Sequence, residues 1–67
     1  MSVMKAQFDD RVITLREVPL PNGGQIPVGT HGFVVEAIES PEKYEVEIDL
    51  DDDQVLVTVS PDDFGVA

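Results

Sequence analysis

Hydrophobic and acidic residues alternate along the second half of the chain with the period of a β-strand. The clearest run covers residues 43–50, where four apolar residues alternate with three acids: Tyr44, Val46, Ile48 and Leu50 with Glu45, Glu47 and Asp49. Such alternation is typical of an antiparallel strand with one face in the core and one in water. The pattern predicts that the four apolar side chains point inward and the three acids outward.

Three further strands are predicted from residues that favour extended structure. They cover residues 11–16, 32–39 and 54–60, each rich in β-branched side chains. In the strand 32–39, the period of two predicts that one face contains Phe33, Val35 and Ala37. The other face then contains Val34, Glu36 and Ile38. In the strand 54–60 the valines Val55, Val57 and Val59 share one face, and Leu56 and Thr58 share the other.

The segments between and after these strands carry turn signals. Residues 18–29 contain three prolines and three glycines, which exclude a helix and a central strand and predict a long loop, folded back on itself near Asn22-Gly23. Long loops are often functional, so residues 18–30 are either a structured connector or a ligand-binding loop. Pro61 to Phe64 predicts one helical turn capped by Ser60, followed by a short last strand at residues 65–67.

Length and composition indicate one small domain. The chain has 67 residues, 42% of them hydrophobic, and no cysteine. We expect a flexible N-terminus at residues 1–10 and a single domain at residues 11–67. A chain of this size buries only part of its surface, so an oligomer or a standing partner would add stability. The sequence has no apolar run that could span a bilayer, and we expect a cytoplasmic protein that does not bind membranes.

The net charge of −10 lies in the second half of the chain. Residues 1–33 contain three acids and three bases, whereas residues 34–67 contain eleven acids and Lys43 as the only base. Because this half also alternates like strands, the charge is predicted to cover one face of a sheet. Such a surface repels phosphate and attracts cations, which argues against nucleic-acid binding.

The order of strand, long loop, hairpin, hairpin, 3₁₀ turn and short strand resembles that of SH3-like barrels. Residues 28–36, Val-Gly-Thr-His-Gly-Phe-Val-Val-Glu, are similar to the glycine-bracketed signature that opens the second strand of KOW-type modules, the photosystem I accessory subunit and the ferredoxin–thioredoxin reductase variable chain. From about residue 11 to 64 the chain also resembles a family of small bacterial domains of unknown function. The resemblance implies an all-β fold, a small barrel of four to five antiparallel strands.

The resemblance implies no single function, because SH3-like barrels bind nucleic acids, bind peptides and dock subunits. A proline-ligand groove needs a cluster of aromatic residues that includes a tryptophan, and this chain has no tryptophan. KOW modules that bind RNA are generally basic, unlike this chain. A nucleic-acid-associated module is therefore the disfavoured alternative.

No motif predicts an enzyme, a metal site or a cofactor. His31 is the only imidazole and no serine lies in a nucleophile-elbow setting, so we interpret His31 as a turn residue. Residues 49–53 resemble the start of a calcium loop, but Gln54 and Ser60 stand where the EF-hand requires glycine and glutamate. One histidine and no thiol are too few for a zinc site.

Two kinds of protein contact are predicted from the surface. A basic partner protein would dock on the acids Glu45, Glu47, Asp49, Asp51, Asp52 and Asp53, with the chain acting as an accessory subunit or as a neutraliser of the antitoxin or immunity type. The same charge could serve only solubility and edge protection. The apolar residues Leu56, Ile38 and Ile13 suggest an interface within a homodimer. In that alternative the function, with a small ligand, lies in residues 18–30.

Overall fold

The structure is a computed structural model that describes residues 3–50 and 53–67. In these residues it is all-β, with one 3₁₀ turn and no α-helix. The strands are β1 (Arg11–Thr14), β2 (Val18–Pro19), β3 (Gln25–Ile26), β4 (His31–Ile38), β5 (Lys43–Leu50), β6 (Asp53–Val59) and β7 (Phe64–Val66). The 3₁₀ turn, Pro61–Asp63, lies between β6 and β7. The predicted all-β class is confirmed.

Five of the strands form one antiparallel sheet in the order β6-β5-β4-β1-β7. The consecutive strands β4, β5 and β6 form a meander, and β1 lies between β4 and the last strand, β7. Strands β2 and β3 form a separate two-stranded hairpin. The sheet has edges at β6 and β7, so in the described residues no closed barrel is found, in contrast to the predicted closure.

One face of the large sheet covers the core. Tyr44, Val46 and Ile48 of β5 are each exposed by 1% or less, and Val57 and Val59 of β6 are also buried. The core also contains Val12, Val34 and Phe64, and the rings of Phe64 and Tyr44 meet edge to face with centroids 5.1 Å apart. The inward orientation predicted for β5 from its alternation is confirmed.

Strand β4 contains a β-bulge that the sequence analysis did not anticipate. Val34 pairs with Val46, but Glu36 pairs with Glu45, so one extra residue, Val35, lies between the two pairs. A bulge shifts the alternation by one residue. The predicted grouping of Val34 with Glu36 and Ile38 is therefore wrong, because Val34 faces the core while Glu36 and Ile38 lie on the opposite face.

The predicted long loop contains the β2–β3 hairpin, and its folding back is confirmed. Val18 pairs with Ile26, and both side chains are buried. Gly23 and Gly24 at the hairpin tip have φ values of 99° and 82°, a conformation that glycine adopts readily. The hairpin is thus anchored by two core residues, and its tip is exposed.

Residues 4–10, which the sequence analysis separated from the domain, make specific contacts with it. Ala6 is 1% exposed and belongs to the core, and its amide donates a hydrogen bond of 3.2 Å to the Tyr44 hydroxyl. The Lys5 ammonium donates to the carbonyls of Pro61 and Phe64 and lies 4.7 Å from the centre of the Phe64 ring. We therefore include residues 4–10 in the domain.

Glu42 and Tyr44 connect this N-terminal segment to the start of β5. The Tyr44 hydroxyl donates a hydrogen bond to Glu42 Oε2, and the Lys5 amide donates to the same oxygen at 3.0 Å. The hydrogen bond from Tyr44, followed by that from the Lys5 amide, lowers the pKa of Glu42. Burial raises the pKa of Tyr44, and its hydrogen bond to Glu42 raises it further.

Two polar contacts set the ends of the segments around β1. The buried Thr14 hydroxyl donates to the Pro27 carbonyl at 2.7 Å and accepts a hydrogen bond from the Thr30 amide at 2.9 Å. Ser60 occupies the N-cap position of the 3₁₀ turn, as predicted, and the Asp63 carboxylate accepts a hydrogen bond from its amide at 3.0 Å. The Thr14 contacts hold the end of β1 to the loop before β4, and the Ser60 contact closes the 3₁₀ turn before β7.

Candidate functional site

The face of the five-stranded sheet opposite the core is the candidate site, and we call it the outer face. Strand register places on it one set of residues from each strand. Its central members are Arg11 and Ile13 of β1, His31, Phe33 and Glu36 of β4, Glu45, Glu47 and Asp49 of β5, and Gln54, Leu56 and Thr58 of β6. No helix or second sheet of the described residues covers this face.

The acids of β5 form a stripe along the middle of the outer face. Glu45 and Glu47 are half-buried and Asp49 is exposed. Glu36 of β4 pairs directly with Glu45, so the bulge adds a fourth carboxylate to this acidic stripe. Among residues 3–50 and 53–67, none of the four side chains forms a hydrogen bond or an ion pair. Their negative charge is therefore not neutralised within the described fold.

Apolar side chains flank the acidic stripe. Phe33 of β4 and Leu56 of β6 both pair with Glu47, one on each side, and they are 36% and 52% exposed. Arg11 of β1 pairs with Phe33 on its other side. A single row across the sheet thus reads cation, aromatic ring, carboxylate and aliphatic side chain. This combination can bind a partner through charge and apolar contact together.

Of the other predicted partner-binding acids, the structure describes Asp53, at the β6 end of the β5–β6 hairpin. Asp53 begins β6, is exposed and pairs with Leu50. Asp51 and Asp52 lie outside the described residues. Three members of this surface, Glu36, Phe33 and Arg11, were not predicted from the sequence. The period of two places the side chains of Phe33 and Val34 on different faces of the sheet, so Phe33 could have been predicted. The bulge that brings Glu36 to the acidic stripe has no signal in the sequence.

The residues predicted for a dimer interface are not contiguous. Ile13 lies on β1, where it pairs with His31 and Gly65, whereas Leu56 lies on β6, with β4 and β5 between the two. Ile38 lies at the far end of β4, opposite Lys43. All three belong to the outer face, but the structure does not bring them together. The homodimer stays a prediction.

A shallow cavity of about 120 Å³ lies on the outer face beside the acidic stripe. Arg11, His31, Gly32, Phe33 and Asp49 line it. His31, interpreted from the sequence as a turn residue, is the first residue of β4 and is exposed. The cavity contains no serine, threonine or cysteine that could act as a nucleophile, and it lies outside the loop predicted to bind a ligand.

The described residues contain neither a metal-binding cluster nor a membrane-spanning helix. There, no group of three or more histidine, aspartate or glutamate side chains is arranged to hold a metal ion. No helix within residues 3–50 or 53–67 has the length and apolar character required to cross a bilayer.

Comparison with known proteins identifies no relative. No protein-family model, no curated protein and no solved structure matches the chain.

Proposed function

We propose that this protein is a non-enzymatic interaction module that docks a basic protein on its outer face. The acidic stripe of Glu36, Glu45, Glu47 and Asp49 would bind lysine and arginine side chains, and Phe33 and Leu56 would add apolar contact. One observation carries this proposal. The four carboxylates lie next to one another on the sheet, and within the described residues none of them forms a hydrogen bond or an ion pair.

The amount of charge supports docking over solubility alone. A small domain needs a net charge of about 2 to 8 for solubility, and this chain carries −10. The placement of the charge is also informative, because Glu36 opposite Glu45 is a like-charge pair that destabilises a sheet. A basic partner would remove that repulsion on binding. The same field repels phosphate, so nucleic acid is not the partner that we propose.

The fold that we propose for the module is SH3-like. The order β6-β5-β4-β1-β7, the hairpin between β1 and β4, and the 3₁₀ turn before the last strand support this proposal. As an accessory subunit or a neutraliser, the protein would act by occupying a positive surface of its partner. Electrostatic docking of this kind gives fast association that depends on ionic strength.

Charge-removal variants test the proposal. A partner recovered from the source cells at low salt would be purified, and its affinity for the chain would be measured over a series of salt concentrations. The stripe variant combines Glu45→Gln, Glu47→Gln and Asp49→Asn. The matched control combines Asp9→Asn, Glu17→Gln and Asp62→Asn, which removes the same net charge at three exposed acids outside the strands.

We expect the stripe variant to lose most of the affinity and of its salt dependence, and the control to keep both. Each desolvated charged contact that is lost weakens binding by about 1–3 kcal/mol. Equal weakening by the two variants would show that only the net charge matters. Binding that is indifferent to salt would contradict the proposal.

A further inference from the structure

Strand β6 is the longer of the two free edges of the sheet. It pairs with β5 through seven consecutive residue pairs, from Leu50 with Asp53 to Tyr44 with Val59, without a register shift. No strand of the described residues pairs with its other side. The opposite edge of the sheet, β7, is only three residues long. The unpaired backbone groups of β6 are therefore available over a longer stretch than those of β7.

The sequence of β6 lacks the features by which natural edge strands avoid pairing. Edge strands are usually protected by lysine, proline, a bulge or short length. Residues 53–59, Asp-Gln-Val-Leu-Val-Thr-Val, contain no lysine, proline or glycine, and their only charge is Asp53 at one end. Leu56 is 52% exposed and Val55 is half-buried. The edge thus has the β-propensity and the apolar surface that favour an added strand.

We propose that β6 accepts an extended segment of the basic partner as an additional strand of the sheet. This inference rests on the proposed function and names the element of the partner that makes the contact. Alternate residues of the segment would be apolar or β-branched and would extend the core face beside Val55 and Val57. The intervening residues would be lysine or arginine on the outer face, beside Leu56 and Thr58.

Charge complementarity selects this occupant over a second copy of the chain. The added strand would lie two strand spacings, about 10 Å, from β5. Long basic side chains can reach across Thr58 and Leu56 toward Glu45 and Glu47. Pairing of β6 with β6 of another copy would join two molecules of net charge −10 and neutralise no carboxylate of either stripe.

The test uses a peptide as the probe and amide protection as the measurement. The peptide is as long as β6, is capped at both ends, and alternates lysine with valine or threonine. Three control peptides have the same amino-acid residues: two carry N-methyl groups on alternate amides, one in each phase, and the third has its lysines grouped at one end. Hydrogen exchange of the isotope-labelled full chain is followed by NMR with and without each peptide.

We expect the alternating peptide to slow exchange at alternate amides of β6, and the peptide methylated in the pairing phase not to do so. Binding that shifts signals of β4 and β5 without protecting β6 amides would overturn this inference and leave the proposed function standing. Failure of every peptide to bind would also overturn it, while the stripe variants still judge the proposed function with the intact partner. Protection of β6 in the free chain, with a dimer in sedimentation, would assign the edge to a second copy instead.

A pair of variants tests the same inference from the side of the protein. Leu56→Lys places a lysine on the edge strand, and we expect it to weaken binding of the alternating peptide about tenfold. Val28→Lys makes the same charge change at an exposed position in the loop before β4. Its effect on peptide affinity should be much smaller, and equal effects of the two variants would contradict docking at β6.

Discussion

Glu36 on β4 lies directly opposite Glu45 on β5, so the outer face contains a cross-strand pair of like charges. The bulge at Val35 creates this pair, because a regular β4 would turn Glu36 toward the core. Like charges directly opposite each other destabilise an antiparallel sheet. The protein therefore keeps at one end of its acidic stripe a pair of carboxylates that opposes folding, and a bound cation would relieve their repulsion.

Reversing one charge of this pair should stabilise the fold. We expect Glu36→Lys to raise the free energy of unfolding by about 0.5 kcal/mol, because the repulsion is replaced by attraction to Glu45. Chemical denaturation of the variant and the unmodified chain measures the change. Glu17→Lys, with the same charge change at an exposed site off the stripe, is the control. An equal gain in the control would trace the effect to net charge, and a loss of stability in Glu36→Lys would contradict the prediction.

The hydrogen bonds to Glu42 should make stability depend on pH in the acidic range. Because the folded state lowers the pKa of Glu42, its ionised form contributes stability at neutral pH, and this contribution is lost as the pH falls through the lowered pKa. We expect the stability difference between the chain and Glu42→Gln to be largest near neutral pH and to shrink on acidification. Urea denaturation over a pH series measures this difference.

Tyr44→Phe provides the control for the Glu42 prediction. It removes the hydroxyl that donates to Glu42, which is the main cause of the lowered pKa. In the Tyr44→Phe background, the change in unfolding free energy caused by Glu42→Gln should depend much less on pH. A difference between the chain and Glu42→Gln that stays constant with pH would show that the carboxylate contributes no ionisation-linked stability.

Gly32 is required by the close approach of β5. A Cβ atom at Gly32 would lie 2.6 Å from the Glu47 carbonyl oxygen and 2.6 Å from Ile48 Cδ1. We expect Gly32→Ala to destabilise the fold by about 2–3 kcal/mol through overpacking. At Gly65 the nearest atom to a Cβ is Leu15 Cδ2 at 3.6 Å, an ordinary contact, so Gly65→Ala should change stability by less than about 1 kcal/mol. Similar thermal midpoints for the two variants would contradict this packing argument.

The Thr14 hydroxyl should contribute to stability because it is buried and satisfied. Thr14→Val keeps the shape of the side chain but leaves the Thr30 amide without its acceptor. We expect a loss of about 1–3 kcal/mol in the free energy of unfolding. Thr58→Val, on the exposed outer face of β6, should stay within about 0.5 kcal/mol of the unmodified chain. Equal stabilities of the two variants in denaturant would show that the hydrogen bonds of Thr14 contribute nothing net.

The sequence predicts the elements with strong alternation and misses those defined by tertiary contact. On β5 every second residue is apolar and the others are charged, so only one orientation buries Tyr44 and Ile48 without burying an acid. On β4 both faces offer apolar residues, and the pattern does not distinguish a regular strand from a bulged one. The bulge at Val35 is decided by pairing with β5.

The N-terminal segment shows the same limit for a different reason. Ala6 is too small to create a hydrophobic pattern, and Lys5 is a typical surface residue. Their positions depend on Tyr44, Glu42 and Phe64, which are distant in sequence. At the candidate site, the prediction that the acids of β5 lie outside the core is confirmed. The position of Phe33 beside the acidic stripe depends on the register of β1, β4 and β5, which the sequence does not give.

The pairing of Val12 with Val66 has a consequence for the order in which the chain folds. It joins β1 and β7, which are far apart in the sequence. The β4–β5 and β5–β6 pairs, in contrast, join strands that follow each other along the chain. Closing a long loop costs more entropy than closing a hairpin, and nonlocal contacts slow folding. The meander should thus form in the transition state and β7 should dock on β1 afterwards. Truncation of Val57 would then slow refolding, whereas truncation of Val66 would mainly speed unfolding.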